Sequence, residues 1–280
     1  MRFPLNDVTV RRVSVTKSVT SPVYSDSNWQ MNQSEFAMQV KGLADFYAFD
    51  GREVEYSPEE GADPNSIELY MNGSVYGAIL HQRLILPFHG SSFIYNDSAV
   101  MICGDAGAGK SSLTASFCLN GAEFLSDDVT PVIFRDGIPY VHSLSDRLKL
   151  WGDALSQLNM EKGMLESIFP GTDKYFYPMR TAGDEMRKLT HLFIIEIIET
   201  GQTTFTETFG AGKFSVLRNE IYRPEYLQGM KENEPVYFKN IMDICENVKV
   251  IRIKRRQNIK IAELHKSVEE FLEGDIKSVL

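Results

Sequence analysis

Cysteine is scarce in this chain, with three among 280 residues. Cys103, Cys118 and Cys245 are an odd number without metal-ligand spacing. They argue against a disulfide framework or a zinc site and fit small core residues in a reducing compartment. Long apolar runs are missing too. The most apolar stretch, Leu192 to Ile198, is interrupted by Glu196 and is far too short to span a bilayer. The start, Met1-Arg2-Phe3-Pro4, has no apolar segment of signal-peptide length. The expected location is therefore the cytoplasm, with no membrane partner. Positive charge is in deficit. A balance of 29 Lys and Arg against 38 Asp and Glu gives a net charge of −9, which argues against a nucleic-acid partner and favours a neutral or basic one. Arg252-Ile253-Lys254-Arg255-Arg256 is basic, but its alternation suits an ordinary strand edge. No internal repeat, no low-complexity tract and no Asn-Lys-x-Asp guanine-reading motif occur, so a GTPase is disfavoured.

What is present is an ordinary globular composition, 43% hydrophobic and 24% charged, in a chain long enough for one domain plus a small lobe. Residues 13–34, rich in Ser, Thr and Asn, read as an arm or an irregular strand pair. From Phe36 the pattern alternates, and Asp50-Gly51 separates two strands as a hairpin turn. Ile67, Leu69 and Met71 alternate again and predict a strand stopped at Asn72-Gly73. A short helix over 75–82 follows. Further on, 192–198 and 250–253 read as strands. Helices are expected around 214–221 and 238–245, and an amphipathic helix from Ile261 is stopped by Gly274. Residues 1–80 are thus read as an arm and small β-rich lobe, and 81–280 as an α/β domain.

The most informative passage lies between His89 and Asp128. Two apolar runs, 91–95 and 98–103, are separated by Asn96-Asp97, a two-residue hairpin loop. Directly after them comes Gly104-Asp105-Ala106-Gly107-Ala108-Gly109-Lys110-Ser111, followed by Ser112 and a helix that ends at Gly121. Glycines at these spacings let backbone N–H groups turn around phosphate oxygens. The helix adds its N-terminal dipole, Lys110 reaches the β/γ-phosphates and Ser111 ligates Mg²⁺. Gly210-Ala211-Gly212-Lys213 looks similar but is a decoy, since no apolar strand leads into it and Phe214 stands where a hydroxyl is needed.

Asp127-Asp128 follows 17 residues after Lys110. A ten-residue helix rises about 15 Å, and a turn plus a four-residue strand returns roughly 13 Å. With parallel strands and a right-handed crossover, both carboxylates land beside the phosphate loop. One carboxylate of Asp127-Asp128 can then hold Mg²⁺, directly or through water, while the other accepts a proton from an attacking hydroxyl. If Tyr95 faces Ser98, counting back along the hairpin puts His89 opposite Gly104, where it can orient or tune the catalytic Asp. The other histidines read as structural. Among the cations downstream, Lys149 and Lys174 are the leading candidates for contacts to the phosphoryl group or substrate. Trp151 reads as a core side chain, with stacking on a base as the alternative.

In this order, the histidine strand, glycine loop and Asp-Asp pair resemble the HPr serine kinase/phosphorylase family, whose catalytic domain shares its core with phosphoenolpyruvate carboxykinases. The resemblance covers residues 36–155 well and the remainder in outline. It implies a mixed-sheet α/β P-loop domain, the cofactors ATP and Mg²⁺, and a catalytic set of His89, Lys110, Asp127 and Asp128. Gly61-Ala62-Asp63, Leu80-His81-Gln82-Arg83-Leu84, Leu86-Pro87-Phe88-His89 and Arg147-Leu148-Lys149-Leu150-Trp151 look still more like the related kinases of lasso-peptide gene clusters. Those enzymes phosphorylate a serine of a precursor peptide. Leu148-Lys149-Leu150-Trp151-Gly152 replaces the Leu-Glu-Ile-Arg-Gly-type signature of the bifunctional enzymes, which implies a one-way kinase acting on something other than HPr. The expected partner is a peptide or protein bearing serine, and a homo-oligomer is compatible with this. The rival readings are a kinase of a free amino acid or sugar and a non-enzymatic ATP sensor.

Overall fold

The computed structural model describes residues 3–143, 145–181, 183 and 186–277. Six strands come first: β1 (Thr9–Arg12), β2 (Tyr24–Ser25), β3 (Trp29–Met31), β4 (Glu35–Val40), β5 (Ala44–Phe49) and β6 (Glu53–Pro58). They form one sheet in the order β1-β6-β5-β4-β3-β2. Asp50 and Gly51 both take positive φ, 50° and 65°, as the tight hairpin between β5 and β6 requires. The expected alternation buries Phe36, Met38, Phe46, Ala48 and Val54. The same core is closed by Val129, Tyr222, Tyr226 and Met230 from much later in the chain.

The strand expected at 67–71 is instead a helix, α1 (Pro64–Tyr70), which runs through a π-turn at Met71–Val75 into α2 (Tyr76–Gln82). Local chemistry decides this. The Asp63 carboxylate accepts from Ser66 N–H at 2.8 Å, and Pro64 occupies the first helical position. Ile67 and Met71, the two buried residues of the alternating set, stand four apart and share one helix face.

The second half is built on β7 (Leu86–Phe88), β8 (Gly90–Tyr95), β9 (Ser98–Gly104), α3 (Lys110–Leu119), β10 (Glu123–Ser126), β11 (Thr130–Arg135) and β12 (Ile138–His142). A separate two-stranded hairpin consists of β13 (Arg147–Trp151) and β14 (Lys174–Pro178), with the short α4 (Gly152–Gln157) between them. Then come β15 (Met186–Ile198), β16 (Thr204–Glu207), α5 (Gly210–Asn219), α6 (Asn233–Asn247), β17 (Lys249–Arg256) and α7 (Ile261–Lys277). The chain is therefore a mixed α/β structure. The strand β15 starts earlier than its apolar run. Its first residues pair with β12, and the rest lies parallel to both β9 and β17.

Both faces of this sheet are buried, which explains the continuous apolar runs. Ala99, Met101, Cys103, Leu192 and Ile194 point into a core completed by α5 and α6. Val100, Ile102, Phe193 and Ile195 point the other way, into a core with α3 and α7. Helix α7 passes through Gly274 rather than stopping there. A mid-helix glycine costs only about 1 kcal/mol, and Asp275 beyond it is held by His191 and Lys249. Among the described residues, no helix is long and apolar enough to cross a membrane.

His81 pins the two halves together. It is fully buried, its Nε2–H donates to Tyr222 O at 2.9 Å, and its Nδ1 lies 3.1 Å from the Tyr237 hydroxyl. Burial lowers its pKa to about 4 from 6.5. A depressed histidine pKa means that the unfolded chain binds the extra proton. The stabilisation is thus complete above the unfolded value and is lost as pH falls toward the folded one, by up to about 3 kcal/mol. The stability gap between wild type and His81→Gln, measured by urea unfolding, should narrow steadily from pH 7 to pH 4.5. A gap that stays constant over that range would contradict this.

Candidate active site

The site sits at the carboxyl edge of the sheet. Gly104 ends β9 with φ 131°, and a Cβ there would come within 2.5 Å of Ile195 O on β15. Only glycine allows the chain to leave the sheet at this point. Gly107 and Gly109 also take positive φ, 81° and 95°. Ala108 N–H donates back to Asp105 O at 3.1 Å. The turn from Gly104 through Asp105, Ala106, Gly107, Ala108 and Gly109 thus delivers Lys110, Ser111 and Ser112 to the first turn of α3. The Lys110 ammonium folds over this loop, donating to Gly104 O at 2.7 Å and Asp105 O at 3.1 Å.

Strand β10 runs parallel to β9, with antiparallel β8 between them. Its carboxyl end therefore brings Asp127 and Asp128 to the same edge as the loop. Ser111 Oγ donates to Asp127 Oδ1 at 2.7 Å. That separation is close to the distance of about 2.9 Å between neighbouring ligands of octahedral Mg²⁺, so this pair fits the ion. Among the described residues no group of three or more His, Cys, Asp or Glu forms a metal cluster. Any Mg²⁺ bound here would draw its remaining ligands from phosphate and water.

Asp128 is the tightest point. Its φ is 72°, and Val129 N–H donates across it to Asp127 O at 2.9 Å. This is the rare γ-turn form, strained for any side chain but glycine. What holds it is charge. Lys149 Nζ donates to Asp128 Oδ2 at 2.7 Å, and His89 Nε2 stands 3.6 Å from Oδ1. Burial by itself would push the Asp128 carboxyl up, but the Lys149 ammonium and His89 outweigh it and hold it well below the usual range. Burial likewise works against the Lys149 charge, yet Asp128 raises its pKa. Lys149 N–H also donates to Asp127 Oδ2 at 3.0 Å, so one residue of β13 fixes both carboxylates.

Two clefts meet at Asp128. One, of 630 Å³, runs from His89 and the glycine loop past Lys149 and Lys174 to an apolar wall of Ala154, Ile259, Ile261 and Leu264. The other, of 730 Å³, lies toward Glu220, Tyr222 and Arg223, and it shares His89, Ala106 and Asp128 with the first. The hairpin register is as expected, with Tyr95 facing Ser98 and Gly90 facing Cys103. The pairing stops there. His89 occupies the bend between β7 and β8, and its N–H donates to Glu220 O at 2.8 Å.

The structure thus brings together the glycine loop, Lys110, Ser111, Asp127, Asp128, His89, Lys149 and Lys174. Lys174 stands 5.5 Å over the Trp151 ring in the first cleft. Trp151 is 50% exposed there, so its reading as a core residue is overturned. It alternates on β13 with buried Leu148 and Leu150, and that parity was the available signal. Arg147 is engaged by Glu68 and the Phe176 ring instead of facing the loop. The decoy lysine, Lys213, is buried and donates to Cys245 O at 2.8 Å.

No family model matches the sequence, and no curated protein matches it. Among solved structures, a similar chain is the Hpr(Ser) kinase/phosphatase from Coxiella burnetii, at 9% identity, covering 69% of this chain and 97% of that one, with a TM-score of 0.37.

With its folded pKa depressed, Asp128 contributes stability above about pH 4 that is lost as pH falls through the folded value. Lys149, with its pKa raised, contributes below about pH 10 and loses that as pH rises. In Lys149→Met, burial of Asp128 should prevail and raise its pKa. Carbon-13 NMR of labelled aspartates should find no Asp128 titration above about pH 4 in wild type and a clear one in the variant. The same titration in both would contradict the pairing.

Proposed function

We propose that this chain is an ATP- and Mg²⁺-dependent kinase that transfers the γ-phosphoryl group to a serine hydroxyl of a peptide or protein. The observation that carries the reading is the position of Asp128 at the junction of two clefts. One of them holds the glycine loop, Lys110 and the Ser111–Asp127 pair, and the other leaves room for an acceptor. In this reading residues 81–280 form the catalytic domain, of HPr kinase-like type, with residues 1–80 as its accessory lobe. The acceptor we favour, from the sequence resemblance, is a lasso-peptide precursor.

ATP lies along the first cleft, its base toward the apolar wall and Trp151, its phosphates in the loop. The backbone N–H groups and Lys110 bind the phosphate oxygens. Ser111 and Asp127 hold Mg²⁺, which when bound supplies charge neutralisation to those oxygens. The acceptor serine enters from the second cleft and donates its hydroxyl to Asp128 Oδ1, since Oδ2 is taken by Lys149. The serine oxygen forms a bond to the γ-phosphorus as the bond to the β–γ bridging oxygen breaks. ADP leaves with that electron pair, and Asp128 receives the serine proton. A carboxylate of low pKa is adequate here. In a loose transition state the alcohol becomes acidic only after its bond to phosphorus has begun to form. Lys149 and His89 keep Asp128 ionised and aimed.

Two substitutions separate binding from transfer. Lys110→Ala should weaken Mg-ATP binding in calorimetry and abolish transfer of labelled phosphate to serine peptides. Asp128→Asn should keep Mg-ATP affinity within a few fold while transfer falls about 10²–10⁴-fold. Unchanged turnover in either variant would overturn the assignment.

A further inference from the structure

On β17, Ile251 and Ile253 point into the core shared with α3 and α7, and the next residue of that row is an arginine. Arg255 is 7% exposed. Its guanidinium bonds only to backbone carbonyls: Nε and one Nη to Ala108 O at 3.0 and 2.9 Å, that same Nη to Gly107 O at 3.5 Å, and the other Nη to Arg256 O at 2.9 Å and Gln257 O at 3.0 Å. Among the described residues no carboxylate lies within ion-pair distance of it. A buried guanidinium with only dipoles for company is expensive, and this one lines the cleft that holds the glycine loop.

The peptide plane gives these bonds a consequence. In a trans peptide the carbonyl and the following N–H point in opposite directions. Holding Ala108 O against Arg255 therefore aims Gly109 N–H away from that guanidinium, and Gly109 itself lines the cleft. Ala108 N–H is already spent on Asp105 O, so Gly109 N–H is the amide of this turn that Arg255 directs. The other end of the fork holds the carbonyls of Arg256 and Gln257, at the start of the segment whose Gln257, Ile259 and Ile261 form the far wall of the same cleft.

We propose that Arg255 is the positioning residue of the phosphate cradle. It orients Gly109 N–H toward a nucleotide polyphosphate, couples the cradle to the wall of the cleft, and leaves a positive charge for the polyphosphate to neutralise. This rests on reading the cleft as a nucleotide site. Lysine cannot replace it, because a single ammonium does not span carbonyls on both sides.

The test is calorimetry with Mg-ADP on wild type, Arg255→Lys and Arg255→Met, with adenosine as a ligand that does not reach the cradle. We expect Mg-ADP to bind about ten- to a hundredfold more weakly to both variants, the loss of a bond to a charged group, with adenosine affinity changed less than threefold. Wild-type binding that both variants keep within threefold would overturn the positioning role and leave the nucleotide site standing. Equal losses for adenosine and Mg-ADP would also overturn it, as the mark of a merely structural arginine. If wild type binds no Mg-nucleotide, the nucleotide reading itself fails and takes this one with it. If neither variant folds, wild type labelled with ¹⁵N-glycine decides: Gly109 N–H should move downfield on addition of Mg-ADP, and an unmoved signal overturns the proposal.

Discussion

The hydrogen bond from Lys149 to Asp128, 2.7 Å long, is the joint on which the rest of the site depends. It crosses from the β13–β14 hairpin, which lies outside the main sheet, to the turn after β10. A two-stranded hairpin is marginal alone. Here it is seated on Ala115 of α3, Phe124 of β10 and Leu155 of α4, and the lysine completes the attachment at the edge. The same residue's N–H holds Asp127. Ser111 on α3 holds Asp127 from the other side. Three elements are thus locked by two carboxylates, and the lock keeps Asp128 in a backbone conformation that would otherwise relax.

Charge is distributed to match. The chain as a whole is acidic, at −9, yet Lys110, Lys149, Lys174 and Arg255 all line one cleft. Each is buried or half-buried, and burial works against the charge of Lys149, Lys174 and Arg255. Asp128 answers Lys149, but the cations beyond that pair are costly there unless a further anion shares the space. The second cleft is different in kind. Its arginines are already answered, Arg223 by Glu225 and Arg252 by Glu196. The two sides of Asp128 therefore differ in how far their cations are already paired.

Much of this was legible in the sequence because it is local. The Asn96-Asp97 turn fixes the hairpin register, the glycine spacing fixes the loop, and one helix length carries the chain to the Asp pair. The reading failed partly by passing over local signals and partly where position depends on distant partners. Ile67, Leu69 and Met71 alternate like a strand, but the capping of Asp63 and Pro64 overrides the alternation. Arg255 reads as part of an ordinary strand edge, because nothing in its own strand reveals that Gly107 and Ala108 lie against it. Lys149 was one cation among several until β13 placed it against both aspartates. Trp151 belonged with its apolar neighbours by composition and faces the other way by parity.

Amide hydrogen exchange of the intact protein, with and without Mg-ATP, tests the central claim most directly. Within 104–112, Gly104 N–H donates to the Glu220 carboxylate and Ala108 N–H to Asp105 O, and the amides between and after them in the loop should exchange quickly. Bound phosphate should take up several of them. We expect strong protection on adding Mg-ATP in the peptide spanning 104–112, with weaker protection around 149–157 and 257–264 at the cleft walls. No protection of 104–112, or protection confined to another part of the molecule, would contradict the account.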